Sequence, residues 1–282
     1  MNIEIAAEKT LPPLKWLAVS RPGWFGRLWM LAALPAFFLF AIPILAIFLR
    51  LTPADFIHSL RQEAVLQAVN LSLTTSLISL LGIVLLGTPT AYYLYRRRSR
   101  LHWLADTLVD LPTVLPPAVA GVALLLAFGR EGLLGSLLRS WGISLPFTTA
   151  AVVLAQMFIA APFYIRAASA GFAAVDCELK HAAALDGANR WEIFRYIVLP
   201  MSAPSMISGC IMSWSRALGE FGATLIFAGN LAGRTRTMPL AIYIGFETNL
   251  DIALTLSAIL ILVSSFVLLA LKVLVNHRLP VS

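Results

Sequence analysis

Six stretches of this chain are apolar for twenty residues or more, at 28–48, 64–94, 104–128, 147–170, 202–228 and 252–274. About 20 apolar residues in a helix cross the hydrocarbon of a bilayer. Inside that hydrocarbon only helices and closed barrels satisfy their own backbone groups. The runs are long, continuous and helix-length, so the fold class is all-α and integral to a membrane, with six transmembrane helices. Composition agrees: 59% of the residues are hydrophobic and 12% are charged, about half the charge of an ordinary soluble domain. The run at 64–94 exceeds what a bilayer needs and is read as tilted or as extending beyond it.

The net charge of +7 is read through its distribution, not as a nucleic-acid signal. With the N-terminus inside, the cytoplasmic loops collect Lys9, Lys15, Arg21, Arg27, Arg96, Arg97, Arg98, Arg100, Arg166, Lys180, Arg190, Arg195, Lys272 and Arg278. The opposite side holds only Arg50, Arg61, Arg130, Arg139, Arg234 and Arg236. This asymmetry predicts both termini in the cytoplasm. YRRRSR at 95–100 reads as a stop-transfer anchor, with a ligand patch as the alternative. The first hydrophobic run is too long for a signal-peptide core and lacks a small-residue cleavage site, so it reads as a retained span. Residues 1–27 are then an N-terminal extension, 28–275 the membrane domain and 276–282 a tail. Cys177 and Cys210 lack metal-ligand spacing, and no metal site is expected. No phosphate-binding G-x-x-x-x-G-K-[ST] loop occurs.

Two features break the apolar pattern. Pro112, Pro116 and Pro117 stand in the third span, where each removes a backbone donor; they predict either a bent helix facing a pathway or a distorted entry at the interface. Arg216 and Glu220 lie four residues apart in the fifth span and share a helical face. A charge at mid-bilayer costs about 2.5–3.5 kcal/mol, so this face must meet protein or water. Gly219 and Gly222 beside the pair predict close helix approach, and Gly229-Asn230 an end to the helix. Three roles are open: Arg216 lining a route for an anion, the pair belonging to a gate or dimer interface, or a static brace. No catalytic residue is expected, because Ser213 and Ser215 have no His or Asp partner in their span.

Between the fourth and fifth spans lies ELKHAAALDGANRWEIFRYIVLPMSAP. It predicts a helix over 177–185, a turn at Gly187, then a short amphipathic helix from about Asn189 through Trp191, Phe194 and Tyr196. Pro200 and Pro204 mark the exit into the fifth span. The hairpin either receives a docked partner or lies on the lipid headgroups.

His181-Ala182-Ala183, three residues, Gly187, nine residues, then Ile197-Val198-Leu199-Pro200 resembles the EAA loop of ABC-importer permeases, with His181 where the family usually has Glu. LPTVLPPAVAG, RALGEFGATLIFAGN and GRTRTMPLAIY, in that order, resemble the permeases for molybdate or tungstate, with sulfate permeases as near relatives. The resemblance implies a type I importer permease that works as a homodimer with its pathway at the dimer axis. It implies that His181, Ala182, Ala183, Asp186, Gly187, Ala188, Leu199 and Pro200 couple to partner ATPase subunits. A separate extracytoplasmic binding protein would deliver the oxyanion. ATP and magnesium would be held by the ATPase, and this chain would carry no cofactor. Rival readings are a sulfate or thiosulfate permease, an intramembrane enzyme and a sensor that does not transport.

Overall fold

A computed structural model describes residues 24–96 and 100–276. Residues 1–23, the 97–99 part of YRRRSR and the tail from 277 lie outside the described residues. Every regular element among the described residues is helical. The first unit carries α1, Trp24–Arg50, an apolar helix with Pro35 and Pro43 inside it.

The second unit starts at Leu51. α2 (Pro53–Leu60) is a short helix whose N-cap Thr52 accepts from the Asp55 N–H. α3 (Glu63–Arg96) is the long span; α4 (Arg100–Val114) and α5 (Pro117–Phe128) follow, then a short α6 (Gly135–Ser140). α7 (Thr149–Ala174) leads into the hairpin α8 (Cys177–Leu185) and α9 (Arg190–Ile193). α10 (Leu199–Leu218), α11 (Gly222–Ala228), α12 (Met238–Thr248) and α13 (Leu250–Asn276) complete the order. Five helical runs among the described residues are long and apolar enough to cross a membrane: Arg27–Arg50, Glu63–Arg96, Thr149–Ala174, Arg190–Leu218 and Leu250–Ala270. The 104–128 segment instead comprises α4 and α5, separated by a break.

α7 is the hub, touching α3, α4, α5, α10 and α11. Lipid offers no hydrophobic gain for helix association, so close packing and buried hydrogen bonds must hold such helices. Both are present. A Cβ on Gly171 would come within 2.7 Å of Ser205, and one on Gly209 within 2.8 Å of Ala167, so α7 and α10 approach with only hydrogen between them. The buried hydroxyls of α3 find partners across the interfaces: Ser79 Oγ donates to Gln156 Oε1 at 2.9 Å, and Ser76 Oγ accepts the Trp214 Nε1–H at 2.9 Å. Ser213 donates to the Ala160 carbonyl.

The exit into the fifth span departs from the sequence expectation. Pro200 and Pro204 do not separate α9 from α10; the helix runs on from Arg190 to Leu218. A π-helical turn over Phe194–Val198 makes this feasible, with the Leu199 N–H bonding the Phe194 carbonyl. The wider turn shifts the ladder by one residue just where Pro200 has no donor to give.

Candidate functional site

The hairpin at 175–193 is built from local chemistry. Asp176 caps α8 by accepting the Glu178 N–H at 2.9 Å. α8 ends in a Schellman arrangement: Gly187 N–H bonds the Ala184 carbonyl at 3.2 Å and Ala188 N–H the Ala183 carbonyl at 3.0 Å. Gly187 has φ +91°, the left-handed backbone that glycine adopts without strain. Asn189 and Glu192 then form a reciprocal capping box at the start of α9. No residue of α8 is buried; His181, Ala182, Asp186 and Gly187 are exposed, while Ala183 and Ala188 are half-buried. Leu199 and Pro200 stand apart from this face, at the start of α10. One clasp ties α8 to the third helix: Lys180 Nζ donates to Tyr95 Oη at 2.8 Å. Beneath the hairpin, Tyr92, Tyr95, Phe172 and Phe194 form an aromatic cluster joining α3, α7 and the π turn.

The two interrupted spans meet each other. Pro116 is extended (ψ 134°) and Pro117 opens α5, where its missing N–H is no loss. α10 stops at Leu218, Gly219 is its C-cap, and α11 begins at Gly222. α5 and α11 pack together, and a Cβ on Gly222 would sit 2.6 Å from Pro117 Cβ. Gly222 is therefore a close-approach glycine as its position suggested. Gly219 is not: a Cβ there would meet only the Ser215 carbonyl at 3.7 Å. Its place at the end of a helix, not at an interface, is the reason. Pro112 lies inside α4.

Arg216 and Glu220 form an ion pair at 2.8 Å, but the helix between them has already ended. Glu220 is buried, 1% exposed, and its other oxygen accepts the Ala223 N–H at 2.9 Å, capping the first turn of α11. One carboxylate thus bridges the last turn of one half-helix and the first turn of the next. The Arg216 side chain keeps 33% exposure, and only its Nη1 is engaged among the described residues. The pair is an asymmetric one: a hidden anion and a half-open cation. Gly229 has φ +73° and ends α11 as expected. Beyond it Arg236 Nε donates to Asn230 Oδ1 at 2.9 Å, and Met238 N–H bonds Ser72 Oγ at 2.6 Å, fixing the loop to α3.

A second charged cluster was missed. Arg166 of α7 makes a two-point contact with Asp110, at 2.7 and 2.6 Å, and a further ion pair with Asp106, both on α4. This fork braces the segment that leads to the proline break. The signal was present: two carboxylates four apart within an apolar run call for a cationic partner. By charge distribution alone Arg166 counts among the cytoplasmic-side cations, and that count does not pair it with either aspartate.

An exposed, self-capped hairpin and two interrupted helical segments joined at a buried ion pair are thus set among helices long and apolar enough to cross a membrane. Residues 83–280 match the family of binding-protein-dependent transport system inner membrane components, and the chain belongs to it. It is 40% identical to the probable transport system permease protein NifC of Clostridium pasteurianum, over 83% of this chain and 82% of that one. It is also 40% identical to the molybdenum transport system permease protein ModB of Mycobacterium tuberculosis, over 86% and 90%. The sulfate transport system permease protein CysW of Synechococcus elongatus is 33% identical, over 80% and 79%. Among solved structures, a bacterial ABC transporter that imports the acidic polysaccharide alginate shares the fold, with a TM-score of 0.69 at 19% identity, covering 90% of this chain and 94% of that one.

Proposed function

We propose that this chain is the permease subunit of an ATP-driven importer of molybdate, with tungstate as an alternative cargo. It works as a homodimer in a bacterial or archaeal inner membrane, both termini in the cytoplasm. The observation that carries the reading is the α8–Gly187–α9 hairpin: rigidly capped, exposed on α8, and clasped to α3 and the aromatic cluster beneath. A partner that pushes on α8 would move spans, not a loose loop. His181, Ala182, Ala183, Asp186, Gly187 and Ala188 form the docking face for ATPase subunits, which hold ATP and magnesium; Leu199 and Pro200 join that hairpin to the fifth span. No cofactor belongs to this chain. An extracytoplasmic oxyanion-binding protein supplies the substrate, as the family description and the relatives' names support.

Within the membrane, Arg216 and Glu220 with Pro112, Pro116 and Pro117 make the gate region. Conduction needs sites that attract without trapping. A lone arginine would hold a dianion hard; Arg216 is already neutralised by Glu220, yet offers unengaged guanidinium nitrogens. Weak, transient attraction follows. The 40% identity to molybdenum permeases against 33% to a sulfate permease favours molybdate, and the second reading is a sulfate permease.

The test is reconstitution of the chain with its ATPase and binding protein in liposomes. ATP-dependent uptake of labelled molybdate, competed by tungstate and not by sulfate, is the expected result. Uptake of sulfate without molybdate would replace the substrate; no ATP-dependent uptake of either would remove the transport reading.

A further inference from the structure

Alongside the hairpin a groove of about 720 Å³ runs between α3 and the α9–α10 helix. Val84, Leu85, Pro89, Phe194, Leu199 and Met206 make its trough. Arg96 and Arg190 also line it, and a second, more polar depression of about 560 Å³ shares Pro89, Tyr92 and both arginines. Among the described residues no carboxylate lines either part. Neither arginine has an ion pair among the described residues; Arg96 lies over the Tyr92 ring at 5.2 Å.

Geometry places this groove at the edge of the bilayer. α3 has 34 residues and at 1.5 Å per residue spans about 51 Å, well beyond a ~30 Å hydrocarbon core. Its last turn carries Arg96, a cation that favours headgroups over hydrocarbon. Exposed Tyr93 and Trp191 at this level are the amphipathic aromatics that favour that zone. From Arg96 back to Val84 the helix descends about 18 Å, close to the ~15 Å depth of one leaflet's hydrocarbon. The dimensions suit an acyl chain topped by an anionic headgroup, and two arginines without acidic partners complement a phosphate diester.

We propose that this groove binds an anionic phospholipid, its phosphate held by Arg96 and Arg190 and one chain lying along Val84, Leu85 and Met206. Because α9 and the π turn form one wall, the lipid would brace the hairpin against α3.

The full chain, purified in mild detergent, is analysed by native mass spectrometry after exposure to phosphatidylglycerol or phosphatidylethanolamine. Preferential retention of phosphatidylglycerol is expected, falling roughly fivefold on Arg96→Ala or Arg190→Ala and roughly twentyfold on both. Arg96→Lys with Arg190→Lys keeps most of it, and Arg139→Ala, away from the groove, changes nothing. Equal retention of the two lipids, or undiminished phosphatidylglycerol in a double alanine variant that still elutes as a folded species, overturns the proposal. So does a disulfide between two copies of a Leu85→Cys variant in native membranes, which would show a second copy covering the groove.

Discussion

The hairpin at 175–193 and the break at 219–221 are both interruptions of helix, yet they are made differently. The hairpin closes its own hydrogen bonds: Asp176, Gly187, Asn189 and Glu192 each serve residues within five positions. The break cannot. Glu220 reaches back to Arg216 and forward to Ala223, and the turn is tolerated because Gly222 lets α11 settle on Pro117. The first is a self-capped projection on an exposed surface. The second is a buried joint whose parts need one another.

That contrast can be broken in order of effect. Arg216→Ala should be the most damaging change, costing about 3 kcal/mol because it leaves the buried Glu220 carboxylate without its cation. A lowered unfolding temperature in detergent together with a large loss of uptake is expected, and Arg216→Lys should restore part of both. Unchanged stability would mean that the joint is not coupled. Gly222→Ala should cost about 2 kcal/mol by overpacking against Pro117, while Gly219→Ala should be tolerated within about 0.5 kcal/mol; equal effects would contradict the packing described.

Gly187→Val strains the backbone, which sits at φ +91°, while a Cβ there meets nothing within 4 Å. About 1–2 kcal/mol of local strain is expected, with membrane insertion intact and ATP hydrolysis no longer driving uptake; full transport would count against ATPase docking on the hairpin. Asn189→Ala should cost about 1 kcal/mol for a lost cap. It should appear as faster amide exchange over 190–193 with the joint at 219–221 unaffected. Exchange that also rises at 219–221 would show the two regions to be one cooperative unit.

The hairpin was legible because its signals are local. A helix over 177–185, a glycine turn at 187 and an Asn189 start can each be read from neighbours in the chain, and the structure places them there. The joint was half-legible. The Arg216–Glu220 spacing announced a pair, but on a continuous helix; that Glu220 also caps α11 depends on where the helix stops. The sequence likewise showed prolines near 116 without showing that α5 would pack on α11. The π turn at 194–198 and the Arg166–Asp106–Asp110 fork were not read at all. The first is a ladder shift invisible to periodicity, and the second joins residues 56 and 60 positions apart.

What the sequence determined alone is the class of solvent, the number of apolar runs and the local geometry of the exposed hairpin, because hydropathy and capping act over a few residues. Only the tertiary structure decided which interruptions meet, which glycine is a contact and which charge is hidden. In a bilayer the hydrophobic effect does not draw helix to helix, so those choices rest on the fit of particular surfaces and on buried hydrogen bonds between distant residues.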